Sequence, residues 1–300
     1  MTPETLRKRE QFQEFVAQVL EPERAVKAVI GIGSIAAGHM HAGSDIDAVI
    51  FLEPLDFYIV PAETIWRPSD HSFHTILKDD PELLAEGITL DFLRLNWQQW
   101  SDPEFEWPEG VRAELSRGWI VFERDSDISA HIAQRTAYPD SLRLDRLDEA
   151  ITRLDQHLNP AKLDRVWDTL GPVMAHDRLE TSYHYLVQAL FAFNRQWRPW
   201  RSREMGMLLN LSWLPDSFDE RVLVAANAPS LDREGYDTRA QTLSEMFREL
   251  QVQLTEAGDY SNAPIDQAFI RSHDEPGRAW NMDEWLKFYT ARRAQANGAN

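Results

Sequence analysis

The chain contains no cysteine, which excludes disulfides, thiolate metal sites and thiol-based catalysis. No apolar run approaches the roughly 18 uninterrupted residues of a membrane span. Met1 to Gln11 is charged, through Glu4, Arg7, Lys8, Arg9 and Glu10, and lacks an apolar core of signal-peptide length. A soluble, cytoplasmic protein without membrane contact is therefore expected. Basic side chains are also scarce: 31 Lys and Arg stand against 49 Asp and Glu, a formal charge of −18. Such a surface repels nucleic acid over most of its area and enriches cations around it, which favours a small neutral or cationic partner. Internal repeats and low-complexity tracts are lacking too, and nothing in the sequence marks an oligomeric state. Only the tail from Ala294 reads as frayed.

A length of 300 residues suits two domains of common size. The first half alternates short apolar runs with polar helical stretches, the pattern of an α/β domain. A helix is expected from about Pro3 to Leu20, and strands at Ala25 to Ile32, Ile46 to Leu52, Ile88 to Leu95 and Trp119 to Glu123. A further helix is expected from about Glu109 to Arg117. After Tyr138, Pro139 and Asp140 the strand-like runs almost vanish. Leu179, Tyr183, Leu186, Leu190, Phe193 and Trp197 recur in steps of three or four, as do Tyr236, Ala240, Leu243, Phe247, Leu250 and Leu254. The expected layout is an α/β domain over residues 1–138 followed by an all-α helical bundle over residues 139–300.

The segment Val29 to Asp47 carries the chemistry. A strand runs into Gly33 and Ser34, where glycine permits a tight turn with exposed N–H groups that can hold phosphate oxygens, and Ser34 adds a hydroxyl. Asp45 and Asp47 open the next strand two residues apart, so both carboxylates project from one face. Two like charges this close are costly unless a cation sits between them, and hard oxygen ligands so arranged suit Mg²⁺. Asp91 lies centrally in the strand Ile88 to Leu95. Should that strand lie beside the Asp45 strand, Asp91 joins the cluster, to ligate a second ion, to take a proton from an attacking hydroxyl, or both. With Ser34 and Ser44 toward the phosphates, these are the parts that phosphoryl transfer requires.

An apolar residue, Gly33 and Ser34, a spacer of about ten residues, then Asp45, Ile46 and Asp47, with Asp91 on a later strand, resembles the polymerase β superfamily of nucleotidyltransferases. Gly118 to Asp125 resembles the strand that closes the small mixed sheet of that superfamily. The likeness covers roughly residues 20 to 135. A minimal nucleotidyltransferase domain followed by a helical bundle is the layout of the aminoglycoside and lincosamide adenylyltransferases. Tyr185 to Trp200 resembles a helix end in other proteins of that layout. The resemblance implies transfer of a nucleoside monophosphate, AMP by that analogy, from ATP or another nucleoside triphosphate to a hydroxyl of a small molecule such as an antibiotic. It implies two Mg²⁺ ions, a cleft between the domains as the active site, and basic residues of the second domain, here Arg201 or Arg203, reaching the triphosphate.

Other readings compete. Gly31 to Ala36 also fits a dinucleotide-binding fingerprint, with Glu53 ending the next strand. That fold needs a long helix after the glycines, yet Gly38, His39, His41 and Gly43 interrupt the segment at once. Asp70, His71 and His74 have the spacing of zinc ligands but lack further partners, which points to a solvated loop. Trp66, Trp97 and Trp100 are either core or the lining of an acceptor pocket. A protein acceptor, as in the adenylylating partners of toxin and antitoxin pairs, and a non-catalytic nucleotide-binding protein are the remaining alternatives.

Overall fold

The computed structural model describes residues 1–77, 81–124, 127–273 and 282–297. Asp125 and the end of the C-terminal tail lie outside them. The chain divides into two compact units, Met1–Ala137 and Tyr138–Asn300. Among the described residues no helix is long and apolar enough to cross a membrane.

The first unit is a mixed six-stranded sheet with helices. Helix α1 (Pro3–Phe15) starts at Thr2, whose hydroxyl accepts the Thr5 N–H, with proline in the first turn where no N–H is needed. The helix expected to reach Leu20 does so in a wider register, as a π-helical turn over Val16–Leu20. Strand β1 (Val26–Gly31), a short helix α2 (Gly33–Ala37) and strand β2 (Ile46–Leu52) follow. Next come β3 (Glu63–Arg67), β4 (Ser72–His74), α3 (Pro81–Glu86) and β5 (Ile88–Asn96). The unit ends with α4 (Trp97–Trp100), α5 (Glu109–Leu115), β6 (Trp119–Glu123) and α6 (Ile128–Thr136). The strand order is β4-β3-β5-β2-β1-β6. β2 and β5 run parallel and the other neighbours antiparallel.

Alternation along the central strands sorts side chains onto two cores. Ile46, Ala48, Ile50 and Leu52 of β2, with Ile88, Leu90 and Phe92 of β5, pack with Phe12 and Phe15 of α1. Val49, Phe51 and Leu95 face the other way, toward Trp100, Trp107, Val111, Leu115 and Ile132 on the α4 to α6 side. Strands β3 and β4 are additions to the strands expected from the sequence. Trp66 on β3 is fully buried against Phe15, and Trp100 is buried beside Trp107, so both are core rather than pocket lining.

The second unit has helices and no strand among its described residues: α7 (Asp140–Leu158), α8 (Pro160–Phe193), α9 (Arg201–Leu208), α10 (Phe218–Ala226), α11 (Arg233–Glu256), α12 (Pro264–His273) and α13 (Met282–Asn297). Leu179, Tyr183, Leu186 and Leu190 of α8 meet Tyr236, Leu243, Phe247 and Leu250 of α11 in one core. Helix α8 is broken at Gly171, whose φ of 82° is left-handed, immediately before Pro172. The expected stripe ends one step early. The helix stops at Phe193, Arg195 adopts a φ of 53°, and Trp197 is buried beyond the end, its ring 4.7 Å from that of Tyr138. A mixed-sheet α+β unit followed by a helical unit is the expected fold class.

Candidate active site

The turn after β1 is built by three constraints. Ile32 donates its N–H to the Asp47 carbonyl at 2.9 Å, which ties the end of β1 to the start of β2. Gly33 then turns with a φ of 62°, a conformation that costs a side-chain-bearing residue about 1–2 kcal/mol. Its N–H is taken by Oε2 of Glu114 on α5 at 3.1 Å, and Glu114 is only 5% exposed. Ser34 lies in the first turn of α2, which ends after one further turn at Gly38. A five-residue helix is too short for the long helix of a dinucleotide fold.

Across the sheet, Asp47 on β2 is the register partner of Asp91 on β5. In a parallel pair such partners stand side by side on the same face. Asp47 shares the parity of Val49 and Phe51, and Asp91 that of Leu93 and Leu95. Both acids therefore begin the rows that continue into the α4 to α6 core, at the strand ends where that core has not yet started. Asp45 precedes β2 by one residue and joins them. One carboxylate oxygen from each of Asp45, Asp47 and Asp91 lies within 4.8 Å of the others, with Asp45 and Asp91 exposed and Asp47 half-buried. Three carboxylates converging in this way repel one another unless protons or a cation intervene. An all-oxygen, anionic donor set open to solvent fits Mg²⁺, which binds a few carboxylates and keeps room for water and phosphate oxygens. His71 and His74 join no such cluster among the described residues. Asp70 instead accepts from Ser72, whose hydroxyl also meets the His74 ring at 2.7 Å.

The loop between the turn and the acids is held from outside by α1. Thr2 donates its N–H to Gly38 O at 2.9 Å and its hydroxyl to Met40 O at 2.9 Å, while Met40 donates its N–H to the Thr5 hydroxyl at 2.9 Å. Arg9 donates to Ile35 O and Ala36 O at 2.7–3.0 Å, with its guanidinium 4.5 Å from the centre of the Trp119 ring. Lys8, 8% exposed, donates to Ala42 O at 3.1 Å and to Ser44 O. Burial pushes its ammonium below the ordinary lysine value, opposed by the carboxylates of Glu4 and Asp45.

Of the residues the sequence singles out, Gly33, Ser34, Asp45, Asp47 and Asp91 thus meet at one end of the sheet. Ser44 lies on the same loop, where its hydroxyl oxygen accepts the His41 N–H at 3.1 Å and its own proton remains to be donated. His39 and His41 are exposed on this loop. Arg201 and Arg203 belong to the helical unit, where Arg201 pairs with Glu204 and Arg203 lies 5.5 Å from the Trp200 ring centre. Thr5, Lys8, Arg9 and Glu114 carry no sequence signal, because their partners are backbone groups, which leave no mark in a sequence. Glu63, the register partner of Asp91 on β3, carries none either.

No family model matches the chain, and no curated protein does. Among solved structures the chain is similar to a nucleotidyltransferase-like protein from Exiguobacterium sibiricum 255-15, at 10% sequence identity. That similarity covers 91% of this chain and 83% of that one with a TM-score of 0.40.

Proposed function

We propose that the chain is a metal-dependent nucleotidyltransferase, which moves a nucleoside monophosphate from a nucleoside triphosphate to a hydroxyl of a small acceptor. The observation that carries this reading is the convergence of Asp45, Asp47 and Asp91 beside the Gly33 turn. Asp45 and Asp47 would hold divalent cations, with Asp91 as third ligand, as base, or both. When bound, Mg²⁺ neutralises charge on the phosphates and on the pyrophosphate that leaves.

The remaining work falls to the chain. Ser34, and the Ser44 hydroxyl proton, supply donors for phosphate oxygens. The register between Asp47 and Asp91 fixes two carboxylates on rigid strands, so their charge is aimed before substrate arrives. In the reaction the acceptor oxygen forms a bond to the α-phosphorus, the bond from that phosphorus to the bridging oxygen breaks, and pyrophosphate departs with the bond electrons. The acceptor proton passes to Asp91 or to water. Assignment of Arg201 and Arg203 to the triphosphate, of AMP as the transferred group, and of an antibiotic as the acceptor rests on the resemblance noted in the sequence.

The test is incubation of the full chain with Mg²⁺, ATP and a panel of aminoglycosides, lincosamides and small-metabolite extracts, read by mass spectrometry. A small molecule that gains a nucleoside monophosphate, with equal pyrophosphate release, is the expected result. A modified protein in place of a small molecule would change the acceptor class. Absence of metal-dependent triphosphate binding would contradict the reading altogether.

A further inference from the structure

Two of the three acids are fixed by the sheet and one is not. Asp47 and Asp91 lie within paired strands, and the Asp47 carbonyl accepts from Ile32. Asp45 stands outside β2, is exposed, and follows a stretch, His39 to Ser44, with no regular secondary structure. Asp45 is therefore anchored to the sheet only on its C-terminal side, through Ile46, and on the other side it depends on the loop. Its N–H belongs to the same planar peptide as the carbonyl of Ser44. Lys8 donates to that carbonyl and, 3.1 Å away, to the carbonyl of Ala42. One side chain thus pins the peptide plane from which the Asp45 backbone departs, together with a second plane two residues earlier.

Lys8 is not alone in facing this loop. Thr5, Lys8 and Arg9 follow the N-cap Thr2 at steps of three, three and one, which places all four toward one side of α1. Each binds backbone of the segment Ile35 to Ser44. Thr2, Thr5 and Arg9 hold the loop between Ile35 and Met40, away from the acids. Lys8 holds the part that leads into Asp45. A lysine 8% exposed has given up most of its hydration, and the hydrogen bonds to Ala42 and Ser44 replace it.

We infer that Lys8 is a positioning residue of the metal platform: by pinning the Ser44 to Asp45 peptide plane it aims the Asp45 carboxylate toward Asp47 and Asp91. This rests on the reading of Asp45 as a metal ligand. A purely electrostatic role predicts the opposite effect, because an ammonium near Asp45 competes with a cation, and its removal would then tighten cation binding. The sign of one measurement separates the two.

The experiment is titration of the full-length protein with Mn²⁺, read by electron paramagnetic resonance of the free ion, for wild type, Lys8→Met and Lys8→Gln. Val111→Ala, a substitution in the core on the opposite face of the sheet, serves as a control for loss of stability. Lys8→Met is expected to bind Mn²⁺ about tenfold more weakly, as loss of an outer-shell partner does. Lys8→Gln, whose amide still donates to a carbonyl, should lie between it and the wild type. Val111→Ala should melt lower with unchanged affinity. Should Lys8→Met not fold, Lys8→Gln decides by the same criterion. Equal or tighter binding in the Lys8 variants, with wild type binding normally, overturns the inference and leaves the proposed function standing. Absence of Mn²⁺ binding in the wild type overturns both.

Discussion

Asp47 and Asp91 stand side by side on the parallel strands β2 and β5, in register, on the face opposite to α1. Register in a sheet with two buried faces resists slippage, because a shift of one residue would move Ile46, Ala48 and Ile50 out of the core packed on α1 and turn Asp47 into it. The spacing of the two carboxylates is therefore inherited from the packing of the whole sheet. Asp45, outside the strand, depends also on its loop.

The turn at Gly33 should be intolerant of any side chain. Gly33→Ala forces an alanine to a φ of 62°. A loss of about 1–2 kcal/mol in urea unfolding is expected, since left-handed backbone costs an L-residue that much. Triphosphate binding should weaken by more than stability does, because relaxation of the turn moves Ser34.

Glu114 should act as a hydrogen-bond acceptor rather than as a charge. Glu114→Leu leaves the Gly33 N–H without the carboxylate that receives it at 3.1 Å, and should cost roughly 1–3 kcal/mol in chemical denaturation. Glu114→Gln keeps an oxygen in place and should unfold close to wild type. Equal losses in the two variants would show that the carboxylate charge is what matters there.

Much of this arrangement is legible in the sequence. The apolar runs of β1, β2, β5 and β6 announce themselves, and parity alone predicts that Asp45 and Asp47 share a face. What escapes is anything that pairs a side chain with backbone. Lys8, Arg9 and Glu114 read as ordinary solvated charges on helices, and nothing in their neighbours' identities reveals that carbonyls and an N–H await them. Strands β3 and β4 escape for a different reason. They have five and three residues, and burial on β3 falls on Thr64, Ile65 and Trp66 in succession, so no alternation appears. The same buried run makes Trp66 core rather than pocket lining.

In the helical unit, His157 should make stability fall in mild acid. Burial, reinforced by the nearby guanidiniums of Arg178 and Arg153 and the ammonium of Lys162, pushes its imidazole down to about 4. The unfolded chain, with an ordinary histidine value near 6.5, binds the proton first as pH falls. The contribution is thus fully present above about pH 6.5 and is lost progressively toward about pH 4. His157→Phe, which cannot protonate, should lose less of its Tm between neutral pH and about pH 5 than the wild type does. An equal loss in both proteins would assign the acid sensitivity to other groups.

The metal platform is tested by the binding of a non-hydrolysable nucleoside triphosphate, measured by calorimetry with and without Mg²⁺, to the wild type and to Asp47→Asn. Binding to the wild type should require the metal, and the variant should keep its fold while the metal no longer strengthens binding. Metal-dependent binding that survives in Asp47→Asn, or its absence from the wild type, would contradict that platform.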